Sequence, residues 1–494
     1  MNFEYLDSKD GVKTVKVNSL FLHSAYSPVK EAQRFCNNLK CSFKPSSIII
    51  TEPGLSYCLP FLRQSFPGIK IGAIRYTEEF SQYNSDFDFV IKTGKDFNLK
   101  NFLLQKFTED NLFSVFFISW PASEKAFAEE GTKTWKEIKE ALDTAKTLLV
   151  TRQFFEKKWL INCINFIKYA RNFYSLNKTS LPVLIAASGP SLKKSLPLIK
   201  NNQNKFIIIA LSSAISLLLK NEIMPDFCIS TDGGYWAGEH LKKLKKDNIP
   251  LALTAEAFCK KELLKNNRII PLFYEDGISY SICRETSIPF IKACRNGTVS
   301  GTAMELALSL TSGKIYFSGL DLSEQKGFQH TQPNELELNS CLKDTYLSSK
   351  EKRISKSQFK NESLKIYQQW FSSFNSENSK IYRIISPELK KNSLGKICDI
   401  SPEAFETECS LLKKEKENLV KALAERSEKD RKADINNVIN YIKKNSATNE
   451  WKKAIFPLDY TVLMHNPENP ENLQKIEKEN SRLIEKLQKI LEDE

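Results

Sequence analysis

The sequence predicts an α/β protein with a Rossmann-like central domain. Short apolar strand patterns alternate with helix patterns from residue 181 to about residue 390, and repeated β–α order favours a largely parallel sheet covered on both faces. Polar residues and glycines follow several of these strand patterns directly, as in strand-to-helix turns. The chain has 494 residues, which is long enough for two to four domains.

We expect four segments along the chain. They are a small N-terminal α/β domain over 1–115, a mainly helical connector over 116–180, the central domain over 181–399 and a helical C-terminal domain over 400–494. In the first, strand Ile48–Ile50, a turn at Gly54, a helix and strand Ile69–Ile74 follow in the order of a dinucleotide-binding unit. Because that fingerprint requires three glycines, we favour a structural domain here over a cofactor site.

The elements of the other segments are predicted from the periodicity of apolar residues. The connector begins with the strand "SVFFISW" and continues with one apolar helix face, formed by Phe155, Trp159, Cys163, Phe166, Ala170 and Phe173. The central strands are predicted at Val183–Ala187, Phe206–Ala210, Phe227–Ser230, Leu251–Thr254, Ile269–Phe273, Ile315–Ser318 and Ile381–Ile385. Residues 325–378 are polar and are predicted to form a lid or an inserted helical piece.

Composition excludes several classes of protein. The net charge of +13 indicates a Lys-rich surface, with attraction for anionic ligands such as nucleotides as the functional alternative. The sequence contains neither an RNA-recognition motif nor a zinc finger, so we do not expect nucleic-acid binding. Its 11 cysteines are scattered and its 4 histidines form no ligand motif, so we expect reduced thiols and no metal site.

A membrane span is not expected either. The longest apolar run, Phe206 to Leu219, is shorter than the ~20 residues that a membrane helix needs. The N-terminal residues lack the basic-then-apolar pattern of a signal peptide. We therefore expect a cytoplasmic protein.

Polar residues at the predicted strand ends form the candidate site. Because the carboxyl ends of parallel strands meet at one rim of a sheet, we expect these residues to lie there together. They are, with the glycines among them, Ser188, Gly189, Ser191, Ser212, Ser213, Asp232, Gly233, Gly234, Thr254, Glu256 and Asp321.

The turn at Gly189 is the central motif. Glycine allows the backbone to approach a ligand, and Pro190 and Ser191 suit the start of a helix, where free N–H groups and the dipole favour an anion. An ordinary turn capped by serine explains the same residues equally well. A second turn, Ser300-Gly301-Thr302, begins a helix that leads to the strand end "SGLD" and then to a polar loop with His330.

These motifs resemble a known family. "ASGPSLKKSLPLI", "NEIMPDFCISTDGG" and "SGTAMELALSLTSGKIYFSGLDL" resemble the central domain of the motility-associated factor (Maf) family of flagellin glycosyltransferases. "LFLHSAYSPVKEAQRF", "PGLSYC" and "TRQFFEKKWLINCINF" resemble its leading domain, so that the likeness covers roughly residues 15–390. The central motifs are also similar to bacterial sialyltransferases with a Rossmann-like fold.

The resemblance implies a reaction. The donor would be a CMP-activated nonulosonic acid of the pseudaminic, legionaminic or sialic type, the acceptor a Ser or Thr hydroxyl of flagellin, and neither metal nor cofactor would be required. It implies that Gly189, Pro190 and Ser191 contact CMP, that Ser300, Gly301 and Thr302 line the donor site beside Asp321, and that His330 is the base. If His330 is not the base, a carboxylate such as Asp232 or Glu256, or the donor's own leaving phosphate, would take the proton.

The sequence also departs from the sialyltransferase pattern. Ser188 and Ser212 stand where those enzymes have asparagines, and Tyr274 and Tyr280 are the candidates for the tyrosines that hold the leaving phosphate. Two alternatives follow from the same resemblance. One is a pterin-type pyrophosphokinase, which would use ATP with Mg²⁺ held by Asp232 and Asp321. The other is a non-catalytic flagellin-binding assembly factor.

Overall fold

The computed structural model divides the chain into two compact units. The structure describes residues 1–94, 97–323, 330–332, 334–352, 362–374, 380–385, 393–412, 418–466 and 470–492. The first unit comprises residues 1–156 and 448–482, and the second comprises residues 157–447 and 483–494. The division of the chain into the four domains predicted from the sequence remains a prediction. The predicted mixed α/β fold class, with a large parallel-rich sheet and a helical C-terminal region, is confirmed.

The first unit contains two small sheets. Its strands are β1 (Phe3–Asp7), β2 (Lys13–Val17), β3 (Leu20–Phe21), β4 (Ser47–Thr51), β5 (Lys70–Arg75), β6 (Phe89–Lys92) and β7 (Val115–Ser119). β1, β2 and β3 form an antiparallel sheet, whereas β6, β5, β4 and β7 form a parallel sheet in that order. The strands predicted at residues 48–50, 69–74 and 114–120 are confirmed as β4, β5 and β7.

The first unit also contains helices. They are Pro28–Asn37, Leu59–Ser65, Leu99–Lys106, Glu109–Phe113, Pro121–Ala126, Asn449–Ile455 and Pro457–His465, with a 3₁₀ turn at Ser81–Asp86. The long helices Ala128–Tyr169 and Pro470–Glu492 each begin in this unit and end in the second.

Buried side chains contact the backbone of the turn that follows β4. The Glu52 carboxylate pairs with Arg75 at 2.9 Å and accepts a hydrogen bond from Tyr76 N, and both charged side chains are almost fully buried. Leu55 N donates to His23 Nε2 at 3.0 Å. The backbone of this turn is therefore held by a buried ion pair and a buried histidine.

The second unit is built on one large sheet. Its strands are β8 (Asn172–Leu176), β9 (Val183–Ala186), β10 (Ile207–Leu211), β11 (Phe227–Ser230), β12 (Leu251–Thr254), β13 (Arg268–Tyr274), β14 (Ile291–Ala293), β15 (Ile315–Ser318), β16 (Ile381–Ile384), β17 (Cys398–Ile400) and β18 (Val420–Ala422). The order is β17-β16-β15-β9-β10-β11-β12-β13-β8-β18, with β14 also pairing with β13. All pairs are parallel except β18 with β8.

Helices follow most of these strands. They are Leu192–Asn202, Ile215–Lys220, Tyr235–His240, Leu244–Asp247, Lys261–Asn266, Gly277–Arg284, Val299–Leu310, Glu335–Cys341, Glu362–Ser373, Pro402–Leu411 and Glu428–Asn445, with 3₁₀ turns at Ser212–Ala214 and Leu241–Lys243. Every central strand predicted from the sequence is confirmed to within one residue at either end. The polar segment 325–378 contains two of the helices, but residues 324–329, 333, 353–361 and 375–379 lie outside the described residues.

Two sequence predictions were wrong in detail. The connector helix ends at Tyr169, and Phe173 belongs to β8, where it is paired with Ile269 of β13. The C-terminal region predicted as helical, 400–494, contributes β18 to the large sheet, and β17 lies at its boundary with the central domain. Among the described residues, no helix has the length and apolar character to cross a bilayer.

Burial of His23 predicts an acid-sensitive first unit. Burial lowers the pKa of His23 from 6.5 to about 3. Between these values the unfolded chain binds a proton that the folded chain does not, so the free energy of unfolding falls as pH falls, by at most about 1.4 kcal/mol per pH unit. We expect His23→Gln, whose amide oxygen can still accept from Leu55 N, to flatten this slope between pH 4 and 6 in urea denaturation. Wild type and variant should have parallel profiles above pH 7, and an unchanged slope at pH 4–6 would contradict the assignment.

Candidate functional site

The candidate site lies where the strand order of the large sheet reverses. From β9 the chain continues through β10, β11 and β12 on one side, whereas β15 and β16 lie on the other. β9 and β15 are hydrogen-bonded neighbours whose connections leave in opposite directions. In open α/β sheets, ligands bind outside the carboxyl ends of strands at such a point.

The two strand ends are tied together by a buried carboxylate. Asp321, three residues after β15, accepts a hydrogen bond from Ser191 N at 2.7 Å through one oxygen and from Ser191 Oγ through the other. Burial raises the pKa of Asp321, although both bonds from Ser191 act against the rise. Ser191 directly precedes the helix Leu192–Asn202, so the protein's own carboxylate takes the position where the sequence predicts a ligand anion.

Gly189 allows this close approach. A Cβ atom at Gly189 would lie 2.4 Å from the carbonyl oxygen of Gly319 and 2.7 Å from Cγ of Asp321. Gly189 N donates to the same Gly319 oxygen at 2.8 Å. The missing side chain therefore makes room for the neighbouring strand end, and no ligand is needed to explain the glycine.

His330 joins the same cluster. Its Nδ1 lies 2.9 Å from Ser188 Oγ, and Thr331 N donates to the carbonyl oxygen of Ser188 at 2.7 Å. Burial lowers the pKa of His330, and the nearby His240 lowers it further. The structure thus brings together five predicted residues, which we call the β9–β15 cluster: Ser188, Gly189, Ser191, Asp321 and His330.

The second glycine–hydroxyl turn is also packed against the protein. The helix Val299–Leu310 is capped by Thr298, whose side chain accepts from Gly301 N at 2.8 Å. Thr302 Oγ1 donates to Cys294 O at 3.0 Å. A Cβ atom at Gly301 would lie 2.9 Å from the ring of Trp370, so the glycine admits that ring. Ser300, in the first turn, stays half-buried.

The remaining predicted residues follow other strands along the rim. Ser212 begins the 3₁₀ turn after β10 and is buried, and Thr254 is the fully buried last residue of β12. Asp232 is exposed after β11 and accepts a hydrogen bond from Gly234 N at 2.8 Å. Its charge acts on Tyr367 of the helix Glu362–Ser373, where burial and Asp232 together raise the tyrosine's pKa.

Glu256 belongs to an ionic cluster that the sequence did not predict. Arg295 Nη2 lies 2.7 Å from Glu256 Oε2 and 2.9 Å from Asp276 Oδ1. The guanidinium also lies over the rings of Tyr274 and Trp159, at 4.2 Å and 4.9 Å from their centroids. Burial raises the pKa of Glu256, and Arg295 acts in the opposite direction.

The two candidate tyrosines already have protein contacts. Tyr274 is buried beneath Arg295, as described above. Tyr280 stacks on Phe273 with ring centroids 5.4 Å apart, and its hydroxyl accepts from Arg284 Nη1 at 3.1 Å. The assignment of both tyrosines as ligands of the leaving phosphate remains a prediction.

Two further residues near the β9–β15 cluster were missed. His240 ends the helix Tyr235–His240, and its Nδ1 lies 2.9 Å from Glu335 Oε2. The chain has only 4 histidines, and His240 follows the strand-end residue Asp232 by eight positions. This rarity and this position could have identified His240 as a candidate from the sequence. No sequence signal could have identified Glu335, since it is one of many acidic residues in a polar segment.

The candidate site does not coincide with a cavity that lies in the first unit. That cavity has a volume of about 590 Å³ and is lined mainly by apolar groups, among them Leu55, Tyr57, Pro60 and Phe61. None of the predicted site residues lines it. Titratable groups, strand ends and helix starts meet instead at the β9–β15 cluster, which we therefore take as the candidate site. The described residues contain no group of three or more side chains suited to a metal ion.

Comparison with known proteins supports the fold. Residues 157–327 match the family model described as "6-hydroxymethylpterin diphosphokinase MptE-like". The chain is also similar to a Maf glycosyltransferase structure from Magnetospirillum magneticum AMB-1, with a TM-score of 0.50 and 11% identity over 99% of this chain and 91% of that chain. At this identity the likeness concerns the fold, and at that level the predicted resemblance to the Maf family is confirmed.

Two relatives at the sequence level have no described function. Both are uncharacterized proteins of Treponema pallidum (strain Nichols). The first is 29% identical over 315 residues, which is 62% of this chain and 69% of that protein. The second is 28% identical over 133 residues, which is 25% of this chain and 60% of that protein.

The packing at Gly189 predicts a large difference between two glycine substitutions. We expect Gly189→Ala to lower the free energy of unfolding by about 1–3 kcal/mol, because its methyl group would overlap a backbone oxygen that cannot move freely. Gly234→Ala is the matched control, since its Cβ would lie 3.2 Å from the flexible carboxylate of Asp232. Its effect should stay within about 0.5 kcal/mol. Urea denaturation measures both, and equal stabilities would contradict the packing argument.

Proposed function

We propose that the second unit is a glycosyltransferase domain that transfers a nonulosonic acid from a CMP-linked donor to a Ser or Thr hydroxyl of flagellin. The sugar acid would be of the pseudaminic, legionaminic or sialic type. The observation that carries the proposal is the contact of His330 with Ser188 at the strand-order reversal. The likeness of the whole chain to the fold of a Maf glycosyltransferase supports it.

The chemistry requires one base and a place for a leaving phosphate. The bond between the donor's anomeric carbon and the phosphate oxygen breaks, and CMP leaves with the electron pair. A new bond forms between that carbon and the acceptor oxygen, whose proton passes to the base. Because the anomeric carbon is tertiary, the transition state resembles an oxocarbenium ion and the proton is taken late.

His330 has the properties that this base needs. When Nδ1 donates its hydrogen to Ser188 Oγ, the lone pair on Nε2 is free to take the acceptor proton. The lowered pKa keeps the imidazole neutral at physiological pH. In this proposal Ser188 therefore orients the base. Asp232 is the carboxylate that would act as the base if His330 does not.

The developing charge on the phosphate needs hydrogen-bond donors. Ser191 N is already bonded to Asp321, so we assign Ser191, Asp321 and the Gly189–Pro190 turn to shaping the donor site. The hydroxyls of Ser212, Ser300 and Thr254 are the proposed donors to the CMP group. The proposed reaction includes no metal ion, as the resemblance to the sialyltransferases implies.

Loss of His330 should abolish transfer without unfolding the protein. We expect His330→Ala to reduce the rate by about 10²–10⁴-fold, the usual contribution of a general base. The experiment co-expresses flagellin, a pathway for the sugar acid and either protein, and then measures the intact mass of flagellin. Gln332→Ala is the control, because Gln332 lies two residues after His330 and its side chain donates to the backbone oxygen of His330 at 3.2 Å. Unmodified flagellin with wild type, in cells that make the donor, would favour a non-catalytic binding factor, and full modification by His330→Ala would exclude His330 as the base.

A pyrophosphokinase is the second candidate. The match of residues 157–327 to a pterin diphosphokinase family model favours it. It would need carboxylates for Mg²⁺, but both oxygens of Asp321 are engaged by Ser191, and Asp232 is the exposed one of the pair. The donor set is therefore poorly suited to the ion.

Nucleotide binding separates the two candidates. For the glycosyltransferase we expect CMP to bind in calorimetric titration with equal affinity in EDTA and in Mg²⁺. Binding of ATP that requires Mg²⁺, without binding of CMP, would establish the pyrophosphokinase instead. Ser212→Ala should weaken CMP binding about 5-fold or more, since one hydrogen bond contributes about 1 kcal/mol. Ser340→Ala, on the helix Glu335–Cys341, is the control.

A further inference from the structure

Three aromatic rings form a patch at the rim of the large sheet. Tyr235 and Trp236 begin the helix Tyr235–His240, five residues after the end of β11. The ring centroid of Tyr235 lies 5.7 Å from that of Trp236 and 5.7 Å from that of Phe258. Tyr235 is 58% exposed and Trp236 is 45% exposed, so both present ring surface to a ligand. We call these three residues the aromatic patch.

Contacts with the backbone hold the patch in place. Phe258, in the loop after β12, donates its N–H to the carbonyl oxygen of Asp232 at 2.9 Å. A Cβ atom at Gly238 would lie 2.6 Å from the ring of Phe258, so this glycine lets the ring pack on the helix. Asn162 Nδ2 donates to carbonyl oxygens in both loops, at 3.2 Å after β11 and at 2.9 Å after β12. The two loops are therefore tied to each other, and rigid aromatic side chains such as these lose little freedom when a ligand binds.

The strand register places the patch within reach of the β9–β15 cluster. Ala186 of β9 pairs with Ala210 of β10, which pairs in turn with Cys228 of β11. Adjacent strands are about 4.8 Å apart, so the carboxyl ends of β9 and β11 are separated by about 10 Å. A ribose phosphate can bridge such a distance. A nucleotide whose sugar lies beside His330 can therefore place its base on the patch.

Asp232 supplies a polar group next to the rings. Its side chain is exposed, and Oδ1 accepts a hydrogen bond from Gly234 N at 2.8 Å. Because of this exposure, Oδ2 is accessible to a ligand. Aromatic side chains stack on nucleobases, and a carboxylate accepts a hydrogen bond from the exocyclic amine of cytosine. Uracil carries a carbonyl oxygen at that position, which a carboxylate repels.

We propose that the aromatic patch binds the nucleobase of the donor nucleotide, with Tyr235 and Trp236 stacked on the base and Asp232 accepting a hydrogen bond from the exocyclic amine of cytosine. The identity of the nucleotide as CMP rests on the proposed function. Stacking on the patch does not, because every nucleobase has a flat π surface. Asp232 then selects the base, and proton transfer stays with His330.

Calorimetric titration of the full-length protein with CMP, UMP and ribose 5-phosphate tests the stacking. We expect Tyr235→Ala and Trp236→Ala each to weaken the binding of CMP and UMP by about 5- to 100-fold, the usual effect of losing one stacked aromatic side chain. Ribose 5-phosphate lacks a base, so its affinity should not change. Trp236→Phe keeps a stacking ring and should retain most of the affinity. Tyr346→Ala is the control, since Tyr346 is 97% exposed and lies outside the patch.

Asp232→Asn tests the selection of the base. The asparagine amide can donate to uracil as well as accept from cytosine. We therefore expect the ratio of CMP affinity to UMP affinity to fall by about 10-fold, as is usual when a hydrogen bond to a charged group is lost. An unchanged ratio would overturn the role of Asp232.

The same titrations separate this proposal from the proposed function. If wild type binds CMP and neither alanine variant weakens the binding, the patch proposal is overturned while the proposed function stands. Weaker binding of flagellin by those variants would then assign the patch to the acceptor. If wild type binds ATP instead of CMP and the alanine variants weaken that binding, stacking on the patch stands while the proposed function fails. Binding of no nucleotide by wild type overturns both.

Discussion

The buried carboxylate of Asp321 joins the two strand ends between which the order of the large sheet reverses. It bonds both the backbone and the hydroxyl of Ser191, across 130 residues of sequence. Without it, a buried N–H group at a helix start would lack its partner, at a cost of about 1–3 kcal/mol. Gly189 and Gly319 let the two backbones approach within hydrogen-bond distance, and the loop with His330 is attached to Ser188 beside them. The candidate base therefore lies beside the contact that joins the ends of β9 and β15.

Around this contact, charge is distributed in two clusters with different roles. Arg295 carries one positive charge against two carboxylates, Glu256 and Asp276, and its guanidinium is covered by two aromatic rings. This cluster has no spare positive charge for an anionic donor, so we interpret it as holding together the ends of β12, β13 and β14. The other cluster, at the ends of β9 and β15, contains His330, whose imidazole can accept a proton. We therefore propose that proton transfer takes place on the side of the site near β9 and β15.

Most strands and part of the site could be predicted from the sequence. The central strands are apolar runs bounded by turn residues, and this local pattern places them within one residue. Phe173 was assigned to the wrong element because a buried aromatic residue satisfies a helix face and a strand equally well. β17 and β18 were missed because "CDI" and "VKA" are short and largely exposed, without an apolar run. Edge strands of this kind take their identity from the neighbour with which they pair.

The sequence by itself determined that Ser188, Gly189 and Asp321 would follow parallel strands and share one rim, because strand and turn signals are local and parallel topology aligns carboxyl ends. Only the tertiary structure decided what these residues contact. Gly189 faces Gly319 rather than open space, the N–H of Ser191 is taken by Asp321, and His240 meets a glutamate 95 residues away. The physical reason is that such contacts depend on strand order and on the path of long connections, and neither leaves a periodic signal in the chain.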